Sequence, residues 1–285
     1  MEPRTRSDYT ARAVDAAFSV LIELFGMLGE FREHIAVIGG WVPHLILRDA
    51  DTEPAGTLDV DLAIDFAHIS DDTYSTFLKA LETRGYRQDH EQPFRFFKAV
   101  TIGDGPPVEV EVDLLAGEYG GTGKGRRTQV VQDVRARKAR GADLVFDHCV
   151  QVRVEGRLPN GALDTVTVKV ADVVAFLVMK GMALHDRRKE KDCYDIFYCV
   201  ANYPGGVAAL VEAFRPHVDK RLVAEGLSKI RSKFLSPEHF GPVAVAEFLE
   251  IADPEERAIV TRDAYERLNA LLEQLQVRLW EDSPA

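Results

Sequence analysis

The chain has 285 residues, 46% of them apolar and 28% charged, and carries a formal net charge of −11. That length and apolar content suffice to bury a substantial core, and the acidic balance does not favour binding to polyanions without selectivity. Its three cysteines, Cys149, Cys193 and Cys199, lack CxxC spacing and read as small core residues, not as a disulfide framework or a zinc site.

Tyr9 to Leu28 carries Val14, Ala17, Phe18, Leu21, Leu24, Phe25 and Leu28 at helical spacing, which predicts an amphipathic helix. Its apolar part contains Glu23 and is too short to cross a bilayer, and no small-residue cleavage pattern follows. A cytoplasmic protein without a membrane partner is expected. Ile35 to Ile38 predicts a strand ended by Gly39-Gly40, and Trp41 to Arg48 a helix with Pro43 in its first turn. Residues 49–56 form a polar loop. Leu58 to Asp65 alternates, with Val60, Leu62 and Ile64 on one face and Asp59, Asp61 and Asp65 on the other, which predicts a strand.

Ser70 is the expected N-cap of a helix reaching Arg84. Phe94 to Ile102 and Val108 to Leu115 predict two strands around the turn residues Gly103, Asp104, Gly105, Pro106 and Pro107. The second is two-faced: Val108, Val110, Val112 and Leu114 against Glu109, Glu111 and Asp113. Gly117 to Gly125 is glycine-rich, but it is no P-loop, because Glu118 stands where the first glycine belongs and Gly125 where Ser or Thr belongs. Leu144 to Phe146, Cys149 to Val154 and Thr165 to Val170 predict further strands. Helical periodicity follows over Val173 to His185, Lys189 to Ala201, Val207 to Phe214, Val243 to Leu249 and Glu256 to Leu279. The expected architecture is α+β: a mixed-sheet domain over residues 1–170, then a helical domain over 171–285.

The acidic positions carry the chemistry. On a strand, Asp59 and Asp61 share a face about 7 Å apart, and Asp113 on another strand supplies a third carboxylate. Carboxylates without compensation repel, so the set implies a bound cation. Magnesium matches hard oxygen ligands and substrate phosphates, and two such ions clamp the attacking and leaving oxygens of a phosphoryl-type transfer. A Gly-Gly turn lets backbone N–H groups approach a phosphate closely. Each part alone is ordinary, a plain turn or a solvated strand face; their conjunction in this order points to function.

Gly39-Gly40-Trp41, Thr57-x-Asp59-x-Asp61 and Asp113 together resemble the signature of the polymerase-beta nucleotidyltransferase superfamily. The segment from Lys180 through the basic run Arg187-Arg188-Lys189-Glu190-Lys191 to Asp192 and Asp195 resembles the block of the AbiEii/AbiGii-type nucleotidyltransferases. That group includes toxins of toxin–antitoxin and abortive-infection systems and the MenT toxins. The resemblance spans residues 36–200. It implies Asp59, Asp61 and Asp113 as catalytic carboxylates and magnesium ligands. It places Gly39, Gly40 and Thr57 on the nucleotide and Lys180 on its phosphates, with Asp192 and Asp195 as the last motif. One departure is Ala55, where relatives often carry a basic residue; another is that the nearest basic residue after the Gly-Gly helix start is Arg48.

Lys180 lies in the apolar run from Ala175 to Leu184. Burial there requires a partner, and the alternative is that it snorkels to water. Asp192 and Asp195, three apart, share a helix face and can orient Lys180 or an arginine. Lys124 to Arg140 holds seven cations (Lys124, Arg126, Arg127, Arg135, Arg137, Lys138 and Arg140) against Asp133 alone. A local basic patch on an acidic body suits a defined phosphate-bearing ligand. The expected function is magnesium-dependent transfer of a nucleoside monophosphate from an NTP to an acceptor hydroxyl, with Asp113, or else Glu111, helping to deprotonate it. RNA, a tRNA 3′ end first, is the expected acceptor. The resemblance adds a toxin role and an antitoxin partner. The alternatives are a small-molecule nucleotidyltransferase of the antibiotic-modifying kind and a non-catalytic nucleotide-binding protein of the same fold.

Overall fold

The alternating segments become one mixed sheet in the computed structural model, which describes residues 3–65, 68, 69, 71–117, 128–131 and 134–280. Two units form along the chain. One comprises Tyr9–Ile46 and Gly56–Asp172; the other comprises Val173–Ala285 together with Met1–Asp8 and Leu47–Ala55.

The first unit contains β1 (Ile35–Ile38), β2 (Asp59–Ile64), β3 (Arg87–Gln88), β4 (Arg95–Val100), β5 (Val108–Ala116), β6 (Thr128–Val131), β7 (Val134–Lys138), β8 (Cys149–Arg157) and β9 (Leu163–Ala171). The order is β3-β4-β5-β2-β1-β9-β8, with β7 also paired to β5 and β6 to β7. β2 and β5 are parallel, as are β1 and β9 and the short β5–β7 pair; the remaining pairs are antiparallel. All four residues of β1 are buried, which fits a strand with neighbours on both edges and apolar cover on both faces. β5 also has neighbours on both edges, and it is buried from Val112 to Ala116. β2 runs along one edge of it from Glu111 to Ala116, while β4 pairs with Val108 to Asp113 and β7 with Leu115 and Ala116.

Helix α1 (Ala11–Met27) starts at Thr10, whose hydroxyl accepts a hydrogen bond from the Ala13 amide and so satisfies one orphan donor. It buries Ala17, Leu21 and Leu24 in the stripe that the sequence predicts. Helices α2 (Trp41–Ile46), α3 (Asp71–Thr83) and α4 (Leu144–Asp147) complete the unit. Leu144 to Phe146, expected as a strand, is the core of α4. A three-residue apolar run has no readable period, so burial of Leu144 and Val145 is all it encodes. Ser70, the expected cap of α3, lies outside the described residues, as does 118–127, which takes in most of the glycine-rich loop and the start of the basic stretch.

The second unit is helical: α5 (Val173–Arg187), α6 (Glu190–Asn202), α7 (Gly206–Phe214), α8 (Arg221–Arg231), α9 (Phe240–Phe248) and α10 (Pro254–Gln274). α10 opens on Asp253, whose carboxylate accepts from the Glu255 and Glu256 amides at 3.0 and 2.9 Å, with Pro254 in the first turn. α8 has no counterpart among the sequence expectations, although Val223, Leu227 and Ile230 recur at helical spacing; its buried face also includes charge. Glu225 and Lys229, four apart, pair at 2.9 Å with both side chains buried, and Lys229 lies 5.0 Å from the Trp280 ring centre. No described helix is long and apolar enough to cross a membrane.

α5 and α8 cross backbone to backbone. A Cβ added at Gly181 would lie 2.2 Å from the Gly226 carbonyl oxygen, and one at Gly226 would lie 2.8 Å from the Val178 Cα. The nearest atoms are backbone, so Gly226→Ala is expected to lower stability by about 1–3 kcal/mol despite alanine's better helix propensity. Urea denaturation checks this, and a wild-type midpoint would mean that the crossing is looser than described.

Candidate functional site

The site is assembled by register. Asp61 in β2 lies between Ile38 of β1 and Asp113 of β5, and Asp59 pairs with Glu111. Strand alternation then puts Asp59, Asp61, Glu111 and Asp113 on one face, two and two on adjacent strands. Val60, Leu62, Val112 and Leu114 take the opposite face and are fully buried. Those apolar residues lock the register, because a one-residue slip would exchange the faces.

The Gly39-Gly40 turn is fitted onto this array. Gly39 has φ +68°, and a Cβ there would lie 2.1 Å from Asp61 Oδ2; both facts demand glycine. A Cβ on Gly40 would lie 2.6 Å from the Thr57 Cβ. Thr57 is buried, and its hydroxyl donates a short hydrogen bond to Asp59 Oδ1. The fully buried Trp41 donates from Nε1 to the Asp59 carbonyl at 2.9 Å, and its ring centre lies 5.2 Å from that of Phe18. The sequence elements Gly39-Gly40-Trp41 and Thr57-x-Asp59-x-Asp61 thus form one contact surface.

Arg95 is a site residue that sequence reasoning missed. It lies opposite Asp113 in the β4–β5 register. Its guanidinium donates from Nε and Nη2 to the two oxygens of Asp113, each at 2.9 Å, while Nη2 stands 2.7 Å from Glu111 Oε1. The fork geometry matches a carboxylate, so this is a strong charge-assisted pair. Burial pushes the Glu111 carboxyl up to about 7; neighbouring Asp113 adds to the rise and Arg95 opposes it. The one available signal for Arg95 was positional. Counting outward from the turn at 101–107 pairs residue 95 with 113, but only once Val100 is known to face Val108.

Asp59, Asp61 and Asp113 are hard oxygen donors, the chemistry that suits a divalent cation such as magnesium. Among the described residues no three His, Cys, Asp or Glu side chains are set to hold a metal ion. Arg95 binds both oxygens of Asp113, and Thr57 binds one of Asp59. As hard oxygen donors the carboxylates fit such a cation by type.

Lys180, Asp192 and Asp195 belong to the helical unit and form a cluster there. Lys180 is buried and donates to Asp192 Oδ1 at 2.8 Å and Asp195 Oδ2 at 2.7 Å. Arg187 donates to both oxygens of Asp192 at 2.8 and 3.0 Å, and Lys191 to both oxygens of Asp195 at 2.8 and 3.0 Å. Lys180 therefore does not snorkel, and part of the second basic run is spent on neutralising two buried carboxylates. Burial alone would lower the Lys180 pKa, but Asp192 and Asp195 outweigh it and hold it above the ordinary lysine range. Likewise burial would raise Asp192, but Lys180 and Arg187 hold it below the usual carboxylate range.

Of the first basic stretch, Lys124, Arg126 and Arg127 lie outside the described residues. Arg135, Arg137 and Lys138 are in β7, whose backbone pairs with β5 at Leu115↔Arg137, two residues beyond Asp113.

A family model described as "Nucleotidyl transferase AbiEii toxin, Type IV TA system" matches residues 56–281. No curated protein matches the chain.

Proposed function

The chain belongs to the AbiEii family of nucleotidyl transferase toxins of type IV toxin–antitoxin systems, and from that premise we propose that it moves a nucleoside monophosphate from an NTP to an acceptor hydroxyl. The observation that carries this reading is the array of Asp59, Asp61, Glu111 and Asp113 on one sheet face, with the Gly39-Gly40 turn seated against Asp61 and Thr57. We propose Asp59, Asp61 and Asp113 as the magnesium-holding carboxylates. Magnesium bound there would supply charge neutralisation at the transferring phosphoryl group. Gly39, Gly40 and Thr57 would position the nucleotide, because the turn packs directly against Asp61 and Thr57 at the carboxylate face. The family block, not the geometry, supports a nucleotide contact for Lys180 and a supporting role for Asp192 and Asp195. The family match supports an antitoxin partner; we further propose residues 1–170 as the transferase domain and 171–285 as a helical accessory domain, with 1–8 and 47–55 packed into the helical unit, and a cytoplasmic setting.

The proposed acceptor is RNA, a tRNA 3′ end first, bound along Lys124 to Arg140. Its support is the cation density of that stretch and the pairing of β7 beside β5, just past Asp113. The test is incubation with each labelled NTP, magnesium and either total tRNA or a mixture of small metabolites. Label on tRNA supports the reading, label on a metabolite makes the enzyme a small-molecule transferase, and no label with any acceptor leaves a non-catalytic binding protein. Phosphate contacts weaken steeply with salt, so reversing Arg126, Arg127 and Arg135 to Glu is expected to reduce RNA labelling at least about tenfold while NTP binding is kept. Normal RNA labelling by the triple variant would remove RNA from this stretch.

A further inference from the structure

We infer that Arg95 holds the place of the divalent cation in the metal-free protein and hands Asp113 over when the cation binds. This rests on the proposed metal role of Asp59, Asp61 and Asp113. Three observations carry it. The guanidinium takes one lone pair on each oxygen of Asp113, so a metal that grips that carboxylate on the same side competes with it directly. The same Nη2 already touches Glu111, at 2.7 Å, one alternation down the strand. Arg95 can therefore let go of Asp113 while staying paired, with no movement of β4 or β5. Its side chain is 20% exposed against 7% for Asp113, so the arginine is the partner with room to turn.

Arg95 is thus a positioning residue that competes with the metal. Replacing it should tighten cation binding, whereas a merely structural residue would weaken the site when lost. The test is Mn2+ titration of the full chain by electron paramagnetic resonance, for wild type, Arg95→Gln, Arg95→Lys and Asp61→Asn, with circular dichroism confirming fold. Arg95→Lys keeps the charge but loses the two-pronged grip, which separates occupation of Asp113 from general charge repulsion. Both Arg95 variants are expected to bind Mn2+ about ten- to a hundred-fold more tightly than wild type, the equivalent of a charge-assisted bond that the metal no longer breaks. They should also lean more on Mn2+ for thermal stability. Unchanged or weaker binding in a folded Arg95 variant overturns the inference, while wild-type binding lost in Asp61→Asn leaves the metal reading standing. Tightening in Arg95→Gln alone also overturns it, since plain charge repulsion would then suffice. If Arg95→Gln does not fold, Arg95→Lys decides. Absence of Mn2+ binding in wild type and both Arg95 variants sinks the metal reading and the inference together.

Discussion

Lys180→Ala is expected to destabilise the protein by about 3 kcal/mol, the low end of the range for breaking a buried ion pair by removing one partner. The cause is what the lysine leaves behind. Asp192 and Asp195 are each only 2% exposed, too deep for water to replace a lost ammonium. The effect stays at the low end because Arg187 keeps Asp192 partnered and Lys191 keeps Asp195 partnered. The charge states hold this contribution across neutral pH. Lys180, raised above its unfolded value, contributes fully below the ordinary lysine range and loses that only as pH rises beyond it. Asp192, lowered, contributes fully above the ordinary aspartate range and loses that only as pH falls well below it. Urea denaturation of Lys180→Ala, with the neutralised combination Lys180→Met/Asp192→Asn/Asp195→Asn beside it, measures the term. The single variant should be weakened and the triple variant largely restored. If the restored triple variant also regains transfer, the nucleotide contact proposed for Lys180 is wrong. If Lys180→Ala melts like wild type, the cluster is not what holds α5 to α6.

The cluster also shows where the sequence was legible. Asp192 and Asp195 lie within one turn of α6, and spacing alone puts them on one face. That they close on Lys180, fifteen residues before Asp195 on α5, depends on how two helices pack. The same contrast holds at the carboxylate face. Asp59 and Asp61 are read from period two within a single strand. Their alignment with Glu111 and Asp113 depends on a parallel register across about fifty residues, which the sequence constrains only through the apolar partners Val60, Leu62, Val112 and Leu114. Arg95 was invisible because nothing within β4 marks it; its meaning comes wholly from the strand opposite. α8 is a different case. Val223, Leu227 and Ile230 recur at helical spacing, so its apolar face was legible, whereas the buried Glu225–Lys229 pair beside it was not. Gly39-Gly40 was read as a turn fit for close approach. The specific demand, that Gly39 make room for Asp61 and Gly40 for Thr57, is tertiary.

Asp61→Ala is expected to reduce nucleotide transfer about a thousandfold or more, by removing an oxygen ligand from an ion that stabilises transition-state charge by several kcal/mol. Asp59→Ala should do the same. Asp61 is the sharper test because register places it centrally, beside Asp113 in β5 and two residues from Asp59 on its own strand. Loss of fold is not expected to explain the result. In the metal-free protein Asp61 shares a face with three other carboxylates, so removing it relieves repulsion with them. Alanine at 61 also retreats from Gly39, whose missing Cβ marks the tightest point of the turn. The two effects separate in a thermal melt with and without magnesium. A ligand that binds only the folded state adds about 2.7 kcal/mol at a hundred times its Kd. Wild type should therefore melt higher when magnesium is added, and Asp61→Ala should melt alike in both conditions. Wild-type transfer by the variant, or a magnesium-induced rise that survives the substitution, would take the cation away from this face of the sheet. The catalytic carboxylates would then have to be sought elsewhere in the chain.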